Sequence, residues 1–230
     1  MVPLEKFVAY YKHPIIQIVV ADMERKILKD LLVESEIGGQ PVILGLTNRY
    51  LADADASPDG IPCDIININN IIDGKIDMDS LERRTIIGGK PGRMSLDTYA
   101  LKEGDVVIST RGFPFKIAMV GRVSGLCVIS SNLTAFRFQR KIIPQVIVAY
   151  FNSTDGQQEL KSISRGIRYL FLNVRDLLEV QVPFPSSDVQ TKILGCCNDV
   201  DDYLTYLKRE EYLVRDIQKQ VIASILEVNP

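Results

Sequence analysis

Residues 182–204 read VPFPSSDVQTKILGCCNDVDDYL and mark an abrupt change in local sequence. Before them, prolines, glycines and short runs of β-branched residues alternate, which is typical of short strands joined by turns. From Ser187 onward, Gly195 and the terminal Pro230 are the only glycine and proline in a mixture of polar and apolar residues. Ser187 and Gln190 have capping-box spacing, so a helix is predicted to begin here. We therefore divide the chain into a domain, residues 1–185, and a long helix, residues 186–230.

Apolar residues step through the predicted helix at intervals of three and four. The series is Ile193, Cys197, Val200, Leu204, Leu207, Val214, Val221 and Ile225. Glu211 and Gln218 interrupt it at two places where a strict heptad has apolar residues. A helix of about forty residues measures about 60 Å, whereas a body of about 180 residues is only about 30–40 Å across. We interpret the helix as a spacer and as the interface for dimerisation or partner docking; the alternative is a helix folded back onto its own domain.

The rest of the sequence predicts an α+β fold, one globular body rich in short strands. Helical spacing and a Gly-Gly stop indicate a helix over residues 22–39. Residues 145–153 fit either a helix or a strand, and an Asp-Gly turn is expected at 72–75. Strands are predicted at 15–20, 41–46, 63–71, 105–110, 116–121, 126–130, 134–139 and 177–184.

Composition excludes several classes of protein. Hydrophobic residues make up 46% and charged residues 24% of the 230, which is typical of a globular protein. The sequence contains no apolar run long enough to span a membrane and no signal-peptide pattern, so we expect a cytoplasmic protein. The four cysteines form no C-x-x-C pair and there is one histidine, so neither a metal site nor a catalytic triad is expected. P-loop, dinucleotide-binding and nucleophile-elbow motifs are absent as well.

The net charge of −2 hides a basic segment in the middle of the chain. Residues 83–168 contain 14 basic and 5 acidic residues, whereas residues 1–82 contain 7 basic and 14 acidic ones. Guanidinium and ammonium groups neutralise phosphates, and Arg, Asn and Gln can read base edges. We therefore predict a DNA-binding surface. Its candidate residues are Lys90, Arg93, Arg111, Lys116, Asn132, Arg137, Arg140, Lys141, Gln157, Gln158, Lys161, Ser164, Arg165 and Arg168. Arg137→Ala or Arg165→Ala should weaken DNA binding without unfolding the protein.

Two other functions stay open at this point. Glu159 and Lys161 fit the E-x-K half of a nuclease metal site, with Asp155 nearby, so a Mg²⁺-dependent nuclease is one alternative. The second is a scaffold or interaction module that uses its helix and binds no nucleic acid. Salt-dependent DNA affinity without cleavage distinguishes the predicted function from both.

From about residue 41 onward, the order of segments resembles one target recognition domain of the specificity subunit of type I restriction–modification systems. The most specific pieces are LKEGDVVISTRG, residues 101–112, and VPFPSSDVQTKI, residues 182–193. In that family the second piece opens a coiled-coil helix. The resemblance implies a non-catalytic subunit that recognises double-stranded DNA.

The same resemblance implies partners. Specificity subunits of the family bind a DNA methyltransferase subunit, which carries S-adenosylmethionine, and a restriction motor subunit can join them; no cofactor is expected in this chain. They contain two recognition domains and two helices, whereas this sequence contains one of each. A half-length chain is therefore expected to form a homodimer that reads two inverted half-sites separated by a fixed gap.

Overall fold

The computed structural model describes residues 23–34, 40–53, 60–87 and 96–228. The strands are β1 (Arg25–Ile27), β2 (Val42–Leu44), β3 (Leu51–Asp53), β4 (Ile61–Ile66), β5 (Ile71–Ile72), β6 (Lys75–Ile76), β7 (Glu82–Ile86), β8 (Val106–Ser109), β9 (Ile117–Met119), β10 (Cys127–Ile129), β11 (Leu133–Phe136) and β12 (Gln181–Pro183). The helices are α1 (Pro144–Asn152), α2 (Thr154–Ile163), α3 (Val174–Leu178) and α4 (Ser187–Val228). This mixture of short strands with a long C-terminal helix confirms the predicted α+β class.

The strands form three sheets. The largest has the order β2-β11-β8-β9-β6-β5, the second has the order β10-β4-β7-β3, and β1 pairs with β12. Most neighbours are antiparallel, but β10 runs parallel to β4 and β9 runs parallel to β6. The predicted turn between β5 and β6 is present, with positive φ at both Asp73 and Gly74, as a two-residue type I′ hairpin requires.

Strand β8 lies at the centre of the largest sheet, and its residues are buried on both faces. Val106 and Ile108 face a core shared with α1, α2 and α3, because side chains alternate along a strand. Val107 faces the opposite way, into a core shared with the four-stranded sheet. A continuous apolar run in the sequence therefore corresponds to a strand between two layers.

The predicted helix over residues 22–39 is wrong in its described part. Arg25–Ile27 is strand β1, and Leu28–Leu31 is a single 3-10 turn. Strand β1 pairs with β12, and the Leu28 amide donates to the Val180 carbonyl at 2.8 Å. Tertiary pairing and burial of the leucines thus override the helical spacing. The predicted strand at 15–20 lies outside the described residues.

Two other predictions are resolved by the structure. The ambiguous segment 145–153 is helix α1, which begins at Pro144. Of the strand predicted at 177–184, residues 181–183 form β12, while residues 174–178 form the short helix α3. The remaining predicted strands, from 41–46 to 134–139, each overlap an observed strand.

Helix α4 begins at Ser187, but the predicted capping box is wrong. The Gln190 amide donates to the Ser186 carbonyl at 2.9 Å, and the Gln190 side chain points into the domain. There its oxygen accepts from the Ile143 amide at 2.7 Å, and its nitrogen donates to the carbonyls of Lys141 and Pro185 at 3.2 and 3.0 Å. The hydrogen bonds of this buried side chain connect the first turn of α4 to the loop that precedes α1.

We expect Gln190→Ala to lower the free energy of unfolding by about 2–3 kcal/mol, because three hydrogen bonds are lost and buried backbone groups are left unpaired. Urea denaturation measures the effect. Thr191→Ala is the matched control, since Thr191 is exposed and bonds within the helix; its effect should stay within about 0.5 kcal/mol. Equal effects of the two substitutions would contradict the role given to Gln190.

The helix leaves the domain near residue 201. Lys75 and Asp201 form an ion pair at 2.9 Å, and Ile193 packs against the helical core. Beyond it, residues 204–215 are all exposed. At 1.5 Å per residue, the 42-residue helix is about 63 Å long. No helix in the described part of the chain combines the length and the apolar character needed to cross a membrane.

Candidate nucleic-acid interface

Two loops that are far apart in sequence lie side by side at one edge of the domain. The first connects β8 to β9, and the second connects α2 to α3. The Gly112 amide donates to the Leu170 carbonyl at 3.0 Å, and the Leu172 amide donates to the Thr110 carbonyl at 2.9 Å. We call the surface formed by residues 110–115 and 164–172 the double-loop face.

The second loop is a tight hairpin. Arg165 and Phe171 exchange two backbone hydrogen bonds of 2.9 Å each, which leaves residues 166–170 as its turn. Gly166 has a φ of +97°, and a Cβ there would lie 2.3 Å from the Tyr169 carbonyl oxygen. Only glycine fits this position without displacing the backbone. The sequence thereby fixes the shape of the turn.

Large apolar side chains on this face are exposed to solvent. Ile167 is fully exposed, Tyr169 is 81% exposed, and Phe113 and Phe171 are each nearly half exposed. A cleft of about 510 Å³ lies between the loops, lined by both of them and by Ser131. Clustered exposed apolar groups mark binding surfaces more often than single ones do.

The charge of the double-loop face is positive. Residues 110–115 and 164–172 contain three basic and no acidic residues. Arg165 is held by Asp176 from α3, with two hydrogen bonds of 3.0 and 2.6 Å. The Lys161 ammonium lies 5.2 Å from the centre of the Phe113 ring. Arg111 and Arg168 are both exposed, and neither forms an ion pair with another residue in the described part of the chain. Such a surface can bind a polyanion.

The structure brings together a subset of the predicted DNA-binding residues. Lys161 leads into the hairpin, and the Asn132 carbonyl accepts from the Thr110 amide at 2.8 Å. The subset on or beside the double-loop face consists of Arg111, Asn132, Lys161, Ser164, Arg165 and Arg168. Gln158 and Arg140 are exposed. Lys90 and Arg93 lie outside the described residues.

Three other predicted residues bond to the backbone of the domain. The Lys116 ammonium donates to the carbonyls of Ile68 and Ile71, at 3.1 and 2.8 Å. The Lys141 ammonium donates to the Asp30 carbonyl at 3.1 Å. Gln157 links the first loop to α1. Its side chain accepts from the Phe115 amide at 3.0 Å and donates to the carbonyls of Phe115 and Phe151. These three side chains therefore bond to the domain's own backbone rather than extending into solvent.

The structure contradicts the expectation that Arg137 contacts DNA. Its side chain is 8% exposed and forms a bidentate ion pair with Asp105, at 2.8 and 2.7 Å. It also donates to the Ala100 carbonyl at 3.1 Å. Asp105 in turn accepts from the Lys102 amide at 2.8 Å. The Arg137 guanidinium is therefore part of the interior, and its removal should affect stability.

The nuclease alternative does not gain support from the geometry. The Glu159 carboxylate accepts hydrogen bonds from Arg25, at 2.8 Å, and from the Tyr150 hydroxyl. Burial raises the pKa of Tyr150 to about 12, and the bond to Glu159 acts in the same direction. Within the described residues, no group of three or more His, Cys, Asp or Glu side chains could hold a metal ion. The Glu159 side chain thus serves in an ion pair with strand β1.

The predicted interface residues of α4 differ in their surroundings. Ile193 packs on the domain, and Cys197 and Val200 are half-buried, where burial raises the pKa of the Cys197 thiol. The exposed members are Leu204, Leu207, Val214, Val221 and Ile225, each more than two-fifths exposed. The part of the series available to another chain therefore begins at Leu204.

The apolar residues of the double-loop face, Phe113, Ile167 and Tyr169, are not among the residues predicted from the sequence, because charge and hydrogen-bonding capacity alone do not indicate them. A signal for two of them is present in the segment Arg165–Tyr169, where Ile167 follows Gly166 directly and Tyr169 follows Arg168. A glycine turn does not bury its neighbours, so such side chains are expected at the surface.

Solved structures provide the comparison for this fold. An HsdS subunit from Thermoanaerobacter tengcongensis is 19% identical, with a TM-score of 0.54 over 81% of this chain and 44% of that one. A chain from a type I R-M system, studied for its complex assembly and conformational transition, is 16% identical, with a TM-score of 0.57 over 86% of this chain and 43% of that one. This chain spans less than half the length of either. Its fold matches about half of an HsdS subunit, which confirms the fold that the sequence resemblance implied. No protein-family model and no curated protein matches the sequence.

Proposed function

We propose that the chain, which spans less than half the length of an HsdS subunit, recognises DNA as a specificity subunit of a type I restriction–modification system or a related methyltransferase-based defence complex. The observation that carries the proposal is the fold match to an HsdS subunit over 81% of this chain. The chain itself consists of one body and one long helix, the arrangement that a recognition domain with a spacer requires.

The double-loop face is the proposed DNA contact. It combines exposed arginines with an absence of carboxylates in its two segments, so it is complementary to the phosphate backbone. Arg111 comes from the β8–β9 connection and Arg168 from the hairpin, and backbone hydrogen bonds hold the two loops together. Phosphate contacts from two rigid loops position the domain, and base contacts then give sequence preference.

The exposed half of α4 is the proposed interface with a second copy of the chain. Leu207, Val214 and Val221 occupy one heptad position, while Leu204 and Ile225 occupy the other apolar position. Glu211 and Gln218 occupy that second position too, and polar residues there favour one register at a cost in stability. Two copies paired in this way present two identical domains to an inverted, bipartite site.

The proposed complex assigns the chemistry to other subunits. The chain itself is non-catalytic, and S-adenosylmethionine is expected on the methyltransferase partner. The restriction motor subunit is a further proposed partner. This division agrees with the engagement of Glu159 by Arg25 and Tyr150, which leaves the nuclease motif without a free carboxylate at that position.

We expect Arg111→Gln with Arg168→Gln to weaken binding to any DNA duplex and to flatten its salt dependence. Each phosphate contact contributes about −0.9 to the slope of log K against log salt concentration, so the double variant should reduce the slope by about 2 for each domain bound. Fluorescence anisotropy with a labelled duplex, titrated at several salt concentrations, measures both quantities.

Arg122→Gln is the matched control, because Arg122 is exposed and lies beyond the opposite end of β9 from the first loop. It should leave the slope unchanged. The proposed function predicts salt-dependent binding by the unmodified chain and no Mg²⁺-dependent cleavage of plasmid DNA. Salt-independent or undetectable binding would overturn it, and cleavage would favour the nuclease.

A further inference from the structure

We infer that the hairpin turn Arg165–Phe171 enters the major groove of DNA, and that Ile167 at its apex contacts the C5-methyl group of a thymine. The inference rests on the proposed function and makes it more specific, since it names a base-reading residue that is neither charged nor polar. It begins from an exposed apolar side chain for which the domain offers no packing partner.

Ile167 is the most exposed large apolar residue among those the structure describes. A single exposed isoleucine is ordinary on a protein surface. This one stands at the apex of a hairpin, next to Tyr169, which is 81% exposed, and on the same face as Phe113. Three exposed apolar side chains therefore lie on the two adjoining loops, and clustered exposed apolar groups mark contact surfaces.

The hairpin is held rigidly enough to place one side chain. Its two ends exchange backbone hydrogen bonds of 2.9 Å, and the Gly112 amide ties its second strand to the neighbouring loop. Arg165 is fixed at the base by two hydrogen bonds to Asp176. A preformed turn loses little conformational entropy on binding. The binding free energy from contacts at its apex is therefore not offset by the cost of ordering the turn.

The major groove is the site that fits both the hairpin and its apolar apex. It is about 12 Å wide, admits a two-stranded ribbon, and is the groove in which the thymine C5-methyl group is exposed. The positive charges beside the apex agree with this placement. Arg168 follows Ile167 directly, and Arg111 lies on the adjoining loop, so both can meet phosphates that border the groove.

The chemistry of the apex then selects the base. The base edges in the major groove present hydrogen-bond donors and acceptors and one apolar group, the C5-methyl of thymine. An isoleucine offers no hydrogen bond, and it removes water from any polar edge that it covers. The favourable neighbour for Ile167 is therefore a thymine methyl, and the same contact fits 5-methylcytosine.

The test uses the 230-residue chain and a pool of randomised duplexes, from which the unmodified protein selects its preferred sites. Each thymine of the selected site is then replaced by deoxyuridine, which lacks only the methyl group. For one thymine in each half-site, the replacement should weaken binding by the unmodified protein about three- to tenfold, as loss of one methyl contact predicts. Ile167→Ala should weaken binding to the thymine site by a similar factor and should be insensitive to the deoxyuridine replacement.

Ile61→Ala is the matched control. Ile61 is an exposed isoleucine at the first residue of β4, whereas the other end of that strand, at Ile66, is the one that bonds to Ser130. It should keep the full sensitivity to deoxyuridine. If the protein selects a site but Ile167→Ala retains the same deoxyuridine sensitivity as the unmodified chain, the inference is overturned and the proposed function stands. If the protein binds no duplex at all, the proposed function fails, and the inference fails with it.

Discussion

Arg137→Ala is expected to lower the free energy of unfolding by about 3–5 kcal/mol, the cost of removing one partner from a buried ion pair. In the Arg137→Ala variant, the Asp105 carboxylate, which is only 1% exposed, would have lost its cationic partner. The Ala100 carbonyl would lose a hydrogen-bond donor as well. Since domains of this size are stable by only about 5–15 kcal/mol, a large fraction of the molecules should unfold in mild denaturant. Equilibrium urea unfolding followed by circular dichroism measures the change.

Arg140→Ala provides the matched control, three residues further along the chain and exposed. Its effect on the free energy of unfolding should stay within about 0.5 kcal/mol. The pair Asp105→Asn with Arg137→Met should cost less than the sum of the two single substitutions, because no isolated charge stays buried. A stable, folded Arg137→Ala protein with weakened DNA binding would contradict the structural role and restore the surface role predicted from charge.

The second large effect concerns the exposed series on α4. Val214→Asp with Val221→Asp is expected to convert the proposed homodimer into a monomer. Each dimer would lose four buried valines, at about 1.5 kcal/mol or more apiece, so the free energy of association should fall by at least about 6 kcal/mol. Unpaired aspartates at the interface add a desolvation cost. Sedimentation velocity at micromolar concentration distinguishes the two masses.

Tyr212→Asp is the control for this experiment. Tyr212 is 70% exposed, and at 100° per residue it lies on the side of the helix opposite to Val214 and Val221. Its substitution should leave the sedimentation coefficient and the helical circular dichroism signal unchanged. A monomeric mass for the unmodified chain, in the absence of DNA, would contradict the dimer and leave α4 as a spacer without a self-complementary face.

The elements that could be predicted from the sequence are those with a strong local pattern. The long apolar series after residue 187 and the absence of breakers predicted helix α4, and the β-branched run at 105–110 predicted strand β8. The Asp73-Gly74 turn followed from the backbone conformations that those two residues tolerate.

The failures share a physical cause, which is contact between residues distant in sequence. Leu28 and Leu31 have helical spacing, yet they are buried beside β12, more than 140 residues further on. Gln190 fits a local capping motif, yet its side chain bonds to Lys141 and Ile143. Local pattern does not carry information about such partners, so tertiary contacts overrode it.

The candidate surface illustrates the same limit. Charge counting identified the basic segment, but it could not distinguish Arg137, whose partner Asp105 lies 32 residues away, from the exposed Arg168. It also could not reveal that the loops at 110–115 and 164–172 adjoin. The structure adds that the exposed Ile167 and Tyr169 lie beside the loop of Arg111, a neighbourhood that the turn sequence around Gly166 does not indicate.

The central claim is that this chain recognises a DNA sequence as a pair of identical half-subunits. Selection from a pool of randomised duplexes by the purified 230-residue chain, followed by sequencing of the bound DNA, tests it most directly. The account predicts enrichment of two inverted half-sites separated by a fixed gap. Bound DNA with the same sequence composition as the starting pool, at a salt concentration that still permits binding, would contradict it.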